Sequence, residues 1–257
     1  MENAHKIRLT GANFTFLMLQ DELSLLFEQL ALHNPQLLGA LRSGLNAREL
    51  RGWERDHEAC LPQEVFDLYC ICDGTTLVGL ESEEELLPLG SWLDNLNLDC
   101  LRFTNTTFFV PFEEAQKQLH GSFFYCDAYE QASIVAADEI VCFVKPFAIF
   151  DYQIDSDYQK NLPLVPCTRI RYPSLPLYDS PSHDLPYFWS SSIEALIRTQ
   201  RRLYEEGLMR FDAHGKRRRA WMHGDYEWGR IEAKSEEEIR LECDPLALEL
   251  TERLYRD

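Results

Sequence analysis

The sequence predicts an α+β domain: a helical N-terminal layer packed on an antiparallel sheet, with a closing helix and a C-terminal extension. Three observations carry this. Apolar residues recur at helical spacing as far as Gly74. The apolar runs then become short and rich in β-branched and aromatic residues. Helical spacing returns between Ser191 and Gly207.

Taken in order, Asn13 can cap a helix running to about His33, where Asn34-Pro35 stops it. Leu23, Leu26, Phe27 and Leu30 mark its apolar face. A short helix from Gln36 to Arg42 ends near Gly44, and a third begins at Asn46, which stands at capping-box distance from Glu49. Pro62 suits the first position of a fourth helix, because the N–H it lacks has no partner there. Val65, Phe66, Leu68, Tyr69 and Cys72 form its stripe, with Phe66 and Tyr69 inward and Gln63, Glu64 and Asp67 outward. Asp73-Gly74 ends it, since glycine enters the left-handed region freely.

Strands are expected over Thr76–Leu80, Thr107–Val110, Ser122–Cys126, Ser133–Ala136, Ile140–Val144 and Ala148–Tyr152, with short helices near Ser91–Leu96 and Glu113–Leu119. Six of the twelve prolines fall between Pro163 and Pro186, so residues 155–187 read as a rigid, irregular arm. Ser191 and Glu194 open the next helix, with Ile193, Leu196, Ile197, Leu203 and Tyr204 buried. A basic loop (Lys216–Arg219) and strands at Ala220–His223 and Glu227–Ala233 follow. Asp244-Pro245 starts a last helix with Leu246, Leu250 and Leu254 on one side. The chain divides into leading helices (1–45), a core (46–207) and an extension (208–257) of one domain.

Composition narrows the function. The 257 residues are 45% hydrophobic and 12% aromatic, which a packed core needs. Lysine and arginine number 25 against 43 acids, for a net charge of −18, and residues 1–150 hold −14 of it. That sign disfavours direct nucleic-acid binding and acidic membrane surfaces, and favours a basic protein partner. Met1–Thr10 lacks the apolar core of a signal peptide, and Phe14–Leu32 is interrupted by Gln20, Asp21, Glu22, Glu28 and Gln29. A cytoplasmic chain with reduced thiols is therefore expected. Its eight cysteines include one close pair, Cys70 and Cys72, without metal-ligand spacing. No metal, cofactor or disulfide is expected.

The block Trp53–Gly74, WERDHEACLPQEVFDLYCICDG, resembles the SUKH superfamily of Smi/Knr-type domains. That family shows an acidic residue in one helix (here Glu54), a Leu-Pro break (Leu61-Pro62), a second amphipathic helix, and Asn-Gly or Asp-Gly (Asp73-Gly74) before the sheet. Val110-Pro111-Phe112, Ser122–Asp127 and Tyr187–Gly207 resemble later elements more weakly. Aspartate at 73 replaces the commoner asparagine, and both tolerate the turn. The resemblance implies a non-catalytic binding module. In bacteria such proteins are often immunity proteins that block a basic, nuclease- or deaminase-like toxin; in fungi they act as regulatory scaffolds.

The expected partner-facing patch is Glu83-Glu84-Glu85 with Glu81, Asp94, Asp99 and Trp92. Acids there would steer a basic partner, and an exposed tryptophan would anchor it. A solvated acidic turn beside a core tryptophan is the competing reading. The leading expectation is an immunity protein without enzymatic activity whose partner is a cognate basic toxin. The alternatives are a Smi/Knr-type regulatory scaffold and a hydrolase built on His183-Asp184, His214-Gly215 and His223-Gly224-Asp225. Those spacings match no known mechanism, and the sequence has no HExxH, GxSxG, P-loop or dinucleotide-binding glycine turn.

Overall fold

The computed structural model describes residues 11–76, 98–104, 107–117, 143–148, 150–151, 164–168, 171–179, 187–211, 215 and 235–254. Among them helices and antiparallel strands mix, as an α+β chain requires.

Helix α1 (Gly11–His33) lies against α4 (Gln63–Ile71) and α6 (Ile193–Glu205). Leu19, Leu23, Leu26 and Leu30 of α1 meet Leu68, Tyr69, Leu196, Leu203 and Tyr204 in one buried cluster. The chain turns at Asn34, whose Oδ1 accepts the Leu37 N–H (3.3 Å) at the start of α2 (Pro35–Ala40). Its Nδ2 donates to the Cys100 carbonyl (2.7 Å) and to the Tyr204 hydroxyl (3.1 Å). One cap residue thus ties α2 to two distant segments, and its burial leaves none of these groups to water.

The expected extension of α2 to Arg42 is corrected: Leu41–Ser43 is strand β1, paired antiparallel with β2 (Cys72–Thr75). Helix α3 (Ala47–Asp56) carries both bonds of the Asn46–Glu49 capping box. Beyond β2, a 3-10 turn (Leu98–Leu101) leads to β3 (Phe108–Phe109) and α5 (Phe112–Lys117). Strand β4 (Phe143–Ala148) follows, and β5 (Phe150–Asp151) pairs with β3.

The proline-rich arm is a second correction. Its described residues supply β6 (Leu164–Thr168) and β7 (Leu177–Asp179), which with β4 and β8 (Tyr187–Ser190) form a sheet of order β4-β6-β7-β8. Proline excludes a residue from donating to a ladder but not from extended backbone, and Pro166 of β6 sits opposite Pro146 of the outer strand β4.

Helix α6 begins one residue later than expected. Ser192 is its cap, accepting the Ala195 N–H (3.0 Å), because the Ser191 N–H is held by Asp244 (2.7 Å). The five apolar residues expected inward are buried. Helix α7 (Glu236–Cys243) has no counterpart among the expected elements, although Ser235 and Glu238 form a complete capping box. Among the described side chains of α8 (Pro245–Leu254), Ala247 and Leu250 are buried and Leu246 is exposed, so Leu246 and Leu250 do not share one environment as their expected common side would require; the Leu254 side chain lies outside the described residues. Asp244 accepts from Ser190 Oγ (2.7 Å) as well as from Ser191 and Ala247, fastening the extension to the start of α6. No helix among the described residues is long and apolar enough to cross a membrane.

Candidate functional site

The frame of the site is the hinge from α3 through α4 to β2. Glu54, 6% exposed, accepts the Leu61 N–H on Oε1 (2.9 Å) across the Leu-Pro break and Arg171 on Oε2 (2.5 Å). The Arg171 guanidinium also lies 4.4 Å from the centre of the Phe66 ring. The first N–H groups of α4 have no partner within their helix. Gln63 and Glu64 donate theirs to the carbonyls of Tyr172 (2.8 Å) and Pro173 (3.2 Å). The arm therefore straps the hinge.

Phe66 and Tyr69 are buried as expected, but Glu64 and Asp67 are not outward: they are 2% and 5% exposed. Glu64 Oε2 accepts from the Ile193 N–H (2.9 Å) and from Ser174 Oγ (2.9 Å). It caps α6 from another helix, which is why burial is tolerated. Burial nevertheless pushes its carboxyl up to about 7, against the opposing pull of those donors. The folded chain holds this proton more tightly than the unfolded chain, whose ordinary value is 4.5. The contribution to stability is complete below about pH 4.5 and is lost as pH rises through 7, a swing of about 3 kcal/mol. Urea unfolding from pH 4 to 8 should show this slope in the parent relative to Glu64→Gln; parallel profiles would contradict it.

At the other end of the hinge, Asp73 Oδ1 accepts the Phe112 N–H (2.8 Å) and Oδ2 pairs with Arg42 (2.9 Å). Tyr69 Oη donates to the Val110 carbonyl (3.0 Å) and Thr75 Oγ1 to that of Phe109 (2.7 Å). The Asp-Gly turn thus grips Val110-Pro111-Phe112. Between α3 and α5 a cleft of about 250 Å³ opens, floored by Leu45, Leu50, Trp53 and Phe112. Two of its three carboxylates are engaged structurally, Asp73 as above and Glu49 in the α3 capping box, and the third, Glu113, is exposed at the rim. No nucleophile stands beside a general base there.

The acidic segment leaves this frame at Thr76 and returns at Leu98. Glu81, Glu83, Glu84, Glu85, Trp92 and Asp94 lie outside the described residues; Asp99 is on the 3-10 turn. What is described is the rooting at either end. The Thr76 N–H donates to the Ala40 carbonyl (2.6 Å) at the C-terminus of α2, and the Cys100 carbonyl accepts from Asn34 at its N-terminus. The two roots therefore sit at opposite ends of one six-residue helix, on its last residue Ala40 and on its N-cap Asn34. Residues 77–97 between them contain five acids and no lysine or arginine.

The histidine–aspartate pairs and Lys216–Arg219 also lie outside the described residues, apart from the backbone of Gly215, whose carbonyl accepts from Cys100. Burial pushes the Cys72 thiol up to about 12 and raises Cys70 too, so both are thiols at neutral pH. Among the described residues no three metal-ligating side chains cluster. Sequence reasoning missed Arg171, Glu64 and Asn34 as organising residues; only the asparagine before Pro35 carried a local signal. No family model matches the chain, and no curated protein matches it.

Proposed function

We propose that the chain is a SUKH-like immunity protein, a cytoplasmic binder that neutralises a basic, nuclease- or deaminase-like toxin without chemistry of its own. The observation that carries the reading is the acidic stretch 77–97, free of lysine and arginine, with its roots at opposite ends of α2. A dense run of like charges steers a basic partner toward itself and can imitate a phosphate backbone. The hinge supports the family resemblance. Glu54 bridges the Leu-Pro break, and Asp73-Gly74 delivers the chain onto Val110-Pro111-Phe112, so the motif residues act as parts of one structural device.

The test uses the product of the gene beside its own as the candidate toxin. Purified chain and Glu83→Lys/Glu84→Lys/Glu85→Lys are compared in stopped-flow association. Surface fields reach only about 8 Å at physiological salt, so acids near the partner dominate. The triple reversal should slow association by roughly tenfold or more. A change in thermal stability below about 1 kcal/mol, the range of surface charges, would show that the variant keeps its fold. Equal rates for the two chains, or a rate indifferent to salt, would remove this segment from the interface.

A further inference from the structure

Between α6, α7 and the end of β8 lies a second cavity, of about 100 Å³. One water needs about 10–15 Å³, so the space is several times that. Leu196, Thr199, Gln200 and Leu203 turn one face of α6 toward it, at the spacing of neighbours on a helix. Helix α7 contributes Glu236, Glu237 and Arg240, none of them buried.

Two buried acceptors line this cavity. Gln200 is 3% exposed, and its Oε1 accepts no hydrogen bond. The lining hydroxyls are committed elsewhere: Thr199 Oγ1 donates to the Ala195 carbonyl (2.9 Å) and Ser190 Oγ to Asp244 Oδ2 (2.7 Å). The Arg240 guanidinium is paired with Glu237 (2.9 Å). Asp244 is buried as deeply as Gln200. Its oxygens accept from neutral donors, the Ser190 hydroxyl and the N–H groups of Ser191 and Ala247, and no lysine or arginine among the described residues pairs with it. A buried oxygen without a donor is rare, and a buried carboxylate ordinarily has a counter-charge. Both anomalies occur in one cavity.

We propose that this cavity binds a small organic cation, an alkylammonium or alkylguanidinium. Its N–H groups donate to Gln200 Oε1, its charge balances Asp244, and its hydrocarbon stem packs on Leu196, Leu203 and Trp189. A neutral amide would satisfy Gln200 but leave Asp244 without a counter-charge. An anion would meet three lining carboxylates against one guanidinium. Because Asp244 also fastens the C-terminal extension to the start of α6, the occupant stabilises that junction. None of these residues belongs to the acidic stretch, and the site stands whether or not that stretch meets a toxin.

The probes are propylammonium and propylguanidinium, with butyramide and butyrate as neutral and anionic counterparts. Binding to the full chain is read by NMR saturation transfer and by the melting temperature. Both cations should bind with a Kd of about 1 mM or tighter, ordinary for molecules this small, and raise the melting temperature as their concentration rises. Gln200→Leu should weaken binding at least about tenfold. Without ligand that variant should melt no lower than the parent, because it removes a buried group that has no partner. Arg240→Gln, at a partly exposed position, removes a competing positive charge and should tighten binding about twofold or more. Butyramide or butyrate binding as tightly as the cations would overturn the proposal, and so would undiminished binding by Gln200→Leu or weaker binding by Arg240→Gln. A Gln200→Leu chain that melts below the parent would show that the fold itself holds the amide. Saturation transfer to neither cation would leave the cavity to water, and either result would equally overturn the site.

Discussion

Gly74→Ala should cost on the order of 4 kcal/mol and lower the melting temperature by roughly 10 °C. Two independent terms produce this. Gly74 has φ +72°, in the left-handed region that alanine adopts only with strain. A Cβ there would also stand 2.4 Å from the Pro111 nitrogen and 2.6 Å from its Cα, both backbone atoms that cannot swing away. Relieving the overlap means releasing Val110-Pro111-Phe112 from the grip of Asp73, Tyr69 and Thr75. Gly39→Ala is the control. Nothing lies within 4 Å of the place a Cβ would take at Gly39 in α2, so alanine there should be neutral or stabilising by about 0.5–1 kcal/mol. Thermal melts of the two variants decide the matter; a Gly74→Ala chain melting with the parent would show that the turn does not hold β2 to α5.

Glu54→Ala should destabilise by about 2–3 kcal/mol, since it breaks a half-buried ion pair from one side and leaves a buried N–H without its acceptor. Its removal leaves the Leu61 N–H without an acceptor at the break and deprives Arg171 of its partner. Glu54→Gln can still accept from Leu61 and should cost less. The order parent, Gln, Ala in urea midpoint is the expected result. Equal midpoints for all three would mean that the acidic residue ahead of the Leu-Pro break is incidental to the hinge.

The hinge is legible in the sequence because its signals are local. The Asn46–Glu49 capping box, the Leu-Pro break and the stripe of Phe66 and Tyr69 all depend on residues a few positions apart. Glu64 and Asp67 escape such reading for the complementary reason. In the first turns of a helix an acid is ordinarily solvated and favoured by the dipole. Only the arrival of Ile193, far along the chain, makes Glu64 a cap. The arm misleads because prolines suggest irregular backbone, whereas β6 and β7 need only extended conformation and a neighbour. Strand β1 has three residues, too few to display alternation. Helix α7 does carry a local signal, the capping box of Ser235 and Glu238, that sequence reasoning missed. The candidate site is legible as composition, an acidic run without a base. Its rooting is not, since Asn34 and Ala40 carry no mark of the segment they hold.

Growth rescue tests the central proposal most directly. Cells expressing the product of the neighbouring gene are grown with the chain, with Glu83→Lys/Glu84→Lys/Glu85→Lys, or with neither, and complex formation is followed by co-purification. The expected result is arrest without the chain, growth with it through a stable complex, and weaker protection by the triple reversal. Arrest that the chain does not relieve, or relief without any complex between the two proteins, would contradict the account.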